Sequence, residues 1–590
     1  MEMNASDAPM KSAGRSPGRE SDDRDGSATR RGFLRRMRGG AAVMLASTAV
    51  SFESSAEADE GSPGNPSGGS VERVLNSYQN RVDAALAETR VPIPRQITNG
   101  DEQRYPNFIG NYSKGLPHNA IGEVVPSAYR SLLNAVRRGT AAAFEQVRSA
   151  APPTRLVNPL AGVAFDLEGT DSHQTMIPMF PSVASQALAD QAVELYWQAL
   201  CRDVNFTDYV TNATPRAAVS ELQALPTYAG VTAQTLFRGF TTADAIGPYV
   251  SQLLLSRMNY GPYFMDGRMS MYVPNLDYMT DQTSWHKGQN GQGPFGTNTI
   301  DTVGGIPVPR YIRNGRDYAM FVHTDPLAGL FMTFYNAGML LFEKGAPLNP
   351  GNPYRYYSKQ AAFATFGVPL FLGMMGEVAT RAFKAVRYAK WFVHRALRPE
   401  ACGGLVHMTM TGQANYPLHR DILNSSAVQN VFSKCGTYFL PQAFPEGSPQ
   451  HPSYAQGHAS MAGACATILK AAVDGHIPYQ SLPKTITPAG PVDVGATTIV
   501  TASEDGLSLA PYTGADADQL TVNGEIAKLA SNIGLARDFA GIHWRSDYEW
   551  GLRLGEAVAL SVLRDQSENS VGEDFTGFTI TTFDGNTIAV

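Results

Sequence analysis

Apolar residues at helical spacing, in long stretches parted by Gly- and Pro-rich segments, limit the folds open to this chain more than any other feature. Val71–Thr89 shows the pattern plainly: Val74, Leu75, Tyr78, Val82 and Leu86 fall on one stripe of a helix. The same spacing predicts helices over Pro126–Ser149, Ser182–Cys201, Thr242–Met258, Asp317–Glu343, Lys359–Leu397, Gly457–Asp474, Asn523–Phe539 and Arg545–Gln566. Asn259–Ile312 and residues 476–520 read as long irregular segments. The tail from Phe575 to Val590 alternates apolar and polar around Asp584-Gly585, as a small hairpin does. No repeat of fixed period is visible. The expected fold class is all-α: two packed helical bundles with long loops and a small C-terminal β-hairpin. With 43% apolar and 17% charged residues, the 590-residue chain has the means to bury a large core.

Lys plus Arg total 47 against 53 Asp plus Glu, a net charge of −6, which argues against a nucleic-acid partner. Four cysteines, Cys201, Cys402, Cys435 and Cys465, are too few for a disulfide scaffold, and none forms the CxxC pair of a structural zinc site; their pairing is left open. Pro326–Phe342 and Ala361–Gly376 carry no formal charge but fall short of the ~18–20 apolar residues of a spanning helix, so buried helices and no stable membrane span are expected. Residues 1–58 have the layout of an export signal: Arg30-Arg31-Gly32-Phe33-Leu34, an apolar run from Ala41 to Phe52, and Ala56-Glu57-Ala58 as a cleavage site. The paired arginines point to the bacterial twin-arginine route and a periplasmic or secreted protein. Residues 60–70 read as a linker, and residues 59–590 form the mature helical domain.

Three short blocks carry chemistry. In the first, residues 390–399, Lys390, His394 and Arg398 recur at i, i+4 and i+8, one face of a helix, with Pro399 placing Arg398 at the helix end. Two fixed cations suit an oxyanion, although the segment alone equally suits a solvated basic face. In the second, His451 to His458, a Pro-Ser-Tyr loop runs into Gly457 and then small residues at helical spacing, placing the Gly457 N–H at a helix N-terminus that favours an anion, with His458 beside it. In the third, residues 537–547, Arg537 precedes His543 by six residues and Asp547 follows it by four, so that a carboxylate can fix the ring's tautomer. Each block alone has a bland reading; the ordered set of three does not.

The order Lys-x7-Arg-Pro, Gly-His, Arg-x5-His-x3-Asp resembles the vanadium-dependent haloperoxidases and the related type-2 phosphatidic acid phosphatases. Leu156–Gly169, Val193–Tyr209, Lys390–Glu400 and Gly541–Glu556 are similar to segments of the algal bromoperoxidases, so the resemblance covers most of the mature chain. It implies that Lys390, Arg398 and Arg537 hold the equatorial oxygens of vanadate, that Gly457 donates its N–H, that His543 bonds the +5 metal from an apical position, and that His458 is the acid–base group. Lys390 would polarise the bound oxidant, and His451 would orient peroxide or halide. The reaction implied is oxidation of halide, bromide or iodide above all, by hydrogen peroxide to hypohalous acid or its equivalent, which halogenates a small organic acceptor. A homo-oligomer and a calcium site near Asp317–Asp325 are also implied. One departure stands out: Gln456 occupies the family's usual serine position. Its amide can donate to the oxyanion, but its length is expected to crowd the peroxide or shift substrate preference. Two alternatives follow from the same residues: an acid phosphatase with His543 as nucleophile and Asp547 activating it, and an exported oxyanion-binding protein without turnover.

Overall fold

A computed structural model describes residues 71–324, 331–487, 489–567 and 573–590. The expected export signal (1–58) and linker (60–70) lie outside these residues. Helices of ten residues or more are numbered here α1 (Val71–Glu88), α2 (Pro126–Arg138), α3 (Gln186–Cys201), α4 (Ala213–Leu222), α5 (Gly315–Thr324), α6 (Met332–Glu343), α7 (Val368–Arg387), α8 (Pro399–Met410), α9 (Ser426–Cys435), α10 (Gly457–Ala472), α11 (Val522–Phe539) and α12 (Arg545–Ser567). They account for the periodic stretches of the sequence, with informative differences. The expected helix over Thr242–Met258 is instead a 3₁₀ turn, Thr242–Ala245, and a four-residue helix, Gln252–Leu255. Gly247 at φ 65 followed by Pro248 interrupts it. Gly139 at φ 60 likewise ends α2 well before Ser149. Asp317–Glu343 resolves into α5 and α6.

Two groups of helices pack together over one continuous core. In the second half of the chain α7, α11 and α12 surround α10, whose residues beyond Gly457 are all buried. A helix buried all round is apolar or small on nearly every face, and GHASMAGACATILKAA is that apart from His458 and Lys470. Its small residues let backbones touch: a Cβ on Gly463 would meet the Leu552 carbonyl oxygen at 2.1 Å, and one on Gly555 would meet Ser460 O at 1.9 Å. In the other group, α4 from the first half of the chain and α9 from the second pack on α3. A smaller cluster, with Tyr112, Tyr129 and Leu132, closes over Trp391. Among the described residues, strands are confined to two-stranded antiparallel pairs. The tail hairpin pairs Thr579–Thr581 with Thr587–Ala589, Ile580 opposite Ile588, around Gly585 at φ 83. Among the described residues, which include all four cysteines, no disulfide forms, and no helix is long and apolar enough to cross a membrane.

Candidate active site

The first block does not lie on one helix face. After Arg387 the chain continues as a π-helical stretch, Tyr388–His394, then turns through Arg395 at φ 41. Arg398 is the extended N-cap of α8, with Pro399 in its first turn. Lys390 and Arg398 therefore converge because the chain doubles back between them. His394 turns away from both. Its ring packs edge-on against Tyr454 at 4.9 Å, and neither ring nitrogen has a hydrogen-bond partner among the described residues. Burial, then Arg395, pushes its pKa down to about 3.

Arg398 clamps the other two blocks to the first. Its Nε and Nη2 donate to the His451 carbonyl at 3.0 and 2.9 Å, and Nη1 donates to Ile542 O at 2.8 Å and to His543 Nε2 at 3.0 Å. Its Nη2 also lies 2.9 Å from His451 Nδ1. Lys390 Nζ donates to Pro452 O at 2.8 Å and Ser453 O at 2.5 Å. Gly457 opens α10, and a Cβ built there would meet nothing nearer than the Phe383 ring at 3.8 Å. Gln456 is placed differently from expectation. Its backbone N–H donates to Asp547 O at 2.8 Å, its Nε2 donates to Gly534 O of α11 at 3.0 Å, and its buried Oε1 has no partner among the described residues.

The third block is a helix–turn–helix corner. Arg537 sits near the end of α11, His543 in the turn, and Asp547 in the first turn of α12. Because His543 Nε2 accepts from Arg398, its proton is on Nδ1, which donates to Asp547 Oδ2 at 2.7 Å. The same carboxylate accepts from Trp544 N at 3.2 Å and from the Ser453 hydroxyl. Arg537 Nη1 donates to Val322 O at 3.3 Å, and His458 hydrogen-bonds the Val322 backbone too.

Charge is the decisive property. Lys390, Arg398 and Arg537 are joined by Arg387, on the last turn of α7, whose Nη1 has no partner among the described residues. Asp547 is the carboxylate set among them; Glu400, which Arg398 also feels, is tied to Lys114 at 2.9 Å. Burial pushes Arg398 and Arg387 down to about 10, and mutual repulsion adds to the effect on Arg387. Burial and then Arg398 hold Lys390 well below the usual amine range. Burial raises Asp547 to about 6 against the pull of Lys390. Burial, then Arg398, Lys390 and Arg537, keeps His543 well below its ordinary value; burial, then Arg537 and Lys390, does the same for His458, and burial, then Arg387, for His451. A buried excess of fixed cations around neutral imidazoles is costly unless an anion completes it.

Comparison with known proteins decides the family. The chain is 32% identical to the vanadium-dependent bromoperoxidase of Ascophyllum nodosum, over 90% of this chain and 96% of that one. The chain belongs to the vanadium-dependent bromoperoxidase family. The bromoperoxidase of Corallina pilulifera is 31% identical over 89% of this chain and 100% of its own length. The family model described as the VCPO second helical-bundle domain matches residues 427–569, the stretch that contains α10 to α12. A solved structure, the homohexameric second vanadate-dependent bromoperoxidase of Ascophyllum nodosum, superposes with a TM-score of 0.79 at 28% identity, over 90% of this chain and 95% of that one. The fold is thus the bromoperoxidase helical fold, and the chain is an enzyme of the vanadium haloperoxidase type.

The residues of the site fit a tetrahedral oxyanion of the vanadate kind: buried cations, the N-terminus of α10 at Gly457, and an imidazole whose unprotonated nitrogen faces Arg398. The calcium expectation gains no support. Asp317 is engaged by Arg313 at 2.9 Å, Asp325 is outside the described residues, and among those residues no cluster of three or more His, Cys, Asp or Glu is arranged to hold a metal ion. Sequence reasoning missed Arg387, Ser453 and Val322. Arg387, three residues before Lys390 on a helical pattern, carried a readable signal; Ser453 and Val322 act through a hydroxyl and main-chain groups that no motif marks.

Proposed function

We propose that the chain oxidises halide, bromide and iodide above all, with hydrogen peroxide, and that Lys390, Arg398, Arg537 and the Gly457 N–H hold vanadate while His543 Nε2 ligates its metal. The observation that carries this reading is the buried set of four cations around Asp547, with the His543 lone pair accepting from one of them, Arg398. When bound, vanadate supplies a high-valent Lewis-acidic centre at which peroxide oxygen becomes open to attack by halide. Arg398 and Arg537 would neutralise its charge from buried positions, with Arg398 releasing its Nη1 bond to His543 Nε2 when that nitrogen takes the metal. Asp547 keeps the His543 proton on Nδ1 and so keeps Nε2 free of one. His458, held neutral by its burial and by the cations, accepts a proton from incoming peroxide. Lys390, anchored by two carbonyls, has a third N–H to direct at the reacting oxygen. His451, braced by Arg398, orients peroxide or halide.

Export through the twin-arginine route, with residues 1–58 removed, and assembly into a homo-oligomer like the homohexameric relative belong to the same proposal. One preparation assayed for peroxide-dependent bromination of a phenol and for phosphomonoester cleavage, each with and without added vanadate, tests it. Bromination that requires vanadate is the expected result. Phosphate release without bromination would establish the phosphatase alternative, and oxyanion binding with neither activity the non-catalytic one.

A further inference from the structure

The two groups on the α5 side of the site, Arg537 and His458, both lean on Val322 of α5. The next residue, His323, is held from several directions. Tyr272 and Asn298, both from the long loop before α5, reach its Nδ1, Asn298 Nδ2 at 3.0 Å. An amide nitrogen can only donate, so Nδ1 accepts and the ring proton is on Nε2. That nitrogen donates to Glu446 Oε1 at 2.6 Å. The His323 ring stacks on Phe444 at 4.1 Å and 21°, and the far partner of Phe444 is Arg537, whose guanidinium carbon lies 5.7 Å from the ring centroid. The loop carrying Phe444 and Glu446 is itself pinned, by Ala443 N to Ala540 O at 3.0 Å and by Lys114 Nζ to Glu446 O at 2.8 Å.

We infer that His323, Phe444 and Glu446 form a clamp of positioning residues that sets where Arg537 and His458 stand, and so sets oxyanion affinity without touching the oxyanion. The inference builds on the proposed oxyanion site, but its partners are outside the three sequence blocks. A hydrogen bond fixes the imidazole, the imidazole fixes the phenyl ring, and the ring's π-face attracts the guanidinium. Glu446 is 43% exposed and His323 23%, so the clamp reaches from solvent to a buried cation in three side chains.

Equilibrium dialysis of the anion-free protein against vanadate tests this, with phosphate as a second probe. His323→Ala and Phe444→Leu should each weaken binding about tenfold, the range of a lost cation–π contact in a dry site. The double variant should lose much less than the product of the two, because both changes break one device. His323→Gln restores an N–H for Glu446 and should return affinity to within about threefold of the parent. A merely structural role would lower thermal stability without the coupling or the rescue. If His323→Ala does not fold, Glu446→Gln at the exposed end should still weaken binding by about threefold. Parental affinity in folded His323→Ala and Phe444→Leu, parental affinity in Glu446→Gln where it is the variant read, or fully multiplicative losses, would overturn the clamp. A parent that binds phosphate but never brominates would instead refute the proposed activity, while the phosphate measurements still decide the clamp.

Discussion

His543 offers an unprotonated Nε2 because Asp547 and Arg398 act on its ring from opposite sides, one accepting from Nδ1 and the other donating to Nε2. Removing that ring removes the metal bond proposed for the site. His543→Ala should therefore abolish vanadate retention through gel filtration, whereas His458→Ala should retain the ion and lose about a hundredfold or more in kcat, the usual worth of a general acid–base group. Equal retention by parent and His543→Ala, measured as vanadium per chain, would reassign the ligand. Gln456 makes a separate prediction. Its side chain is fully buried, tethered to Gly534, and its Oε1 is an acceptor without a partner among the described residues, beside a proposed site for anions. Gln456→Ser removes that acceptor and its bulk. Peroxide KM should fall by on the order of threefold, with a stability loss of about 1 kcal/mol for the small cavity. Steady-state kinetics with peroxide varied, beside urea denaturation, reads both, and an unchanged KM would show that the longer side chain leaves the peroxide position clear.

At the scale of elements, the π-helical stretch Tyr388–His394 controls the site, since it allows Lys390 and Arg398 to converge. It also leaves His394 buried with both ring nitrogens unpartnered among the described residues. The pKa of His394 is about 3 in the folded chain against an ordinary 6.5, so the folded state binds fewer protons than the unfolded one. Its contribution is unchanged above pH 6.5 and costs about 1.4 kcal/mol for each pH unit below it. His394→Phe should gain about 1 kcal/mol at pH 7 by removing unsatisfied nitrogens, and about 2 kcal/mol more at pH 5. Urea unfolding at the two pH values checks this; parallel losses in parent and variant would show that His394 does not titrate on unfolding. The same stretch marks the limit of what the sequence makes legible. Apolar and small residues identify α10, α11 and α12 almost to their ends, because helices this deeply buried carry few exposed polar positions. Lys390, Arg398 and Arg537 are recognisable because three blocks in fixed order match a family pattern, which no block does alone. The i, i+4, i+8 geometry failed because a π turn changes the angle per residue without changing composition, and Thr242–Met258 failed because Gly247-Pro248 outweighs the apolar period around it.

For the molecule as a whole, the cost of the site is a buried cluster of like charges, and its relief is mass action by an anion. Arg387, Lys390, Arg398 and Arg537 repel one another in a core where Asp547 is the carboxylate among them and is itself held near pKa 6. An oxyanion that binds only the folded state stabilises it by about 2.7 kcal/mol at a hundred times its Kd. Vanadate and phosphate should therefore both raise the melting temperature at constant ionic strength, and each should diminish the effect of the other, while chloride at matched ionic strength should not. Arg387 provides the control on cause, since its Nη1 has no acceptor to lose among the described residues. Arg387→Met should melt higher than the parent in chloride alone, because one repelling charge is gone. It should also show a smaller vanadate-induced rise, because the same charge no longer attracts the ion. If the variant melted lower in chloride yet gained as much from vanadate as the parent does, charge repulsion would not be what the anion relieves.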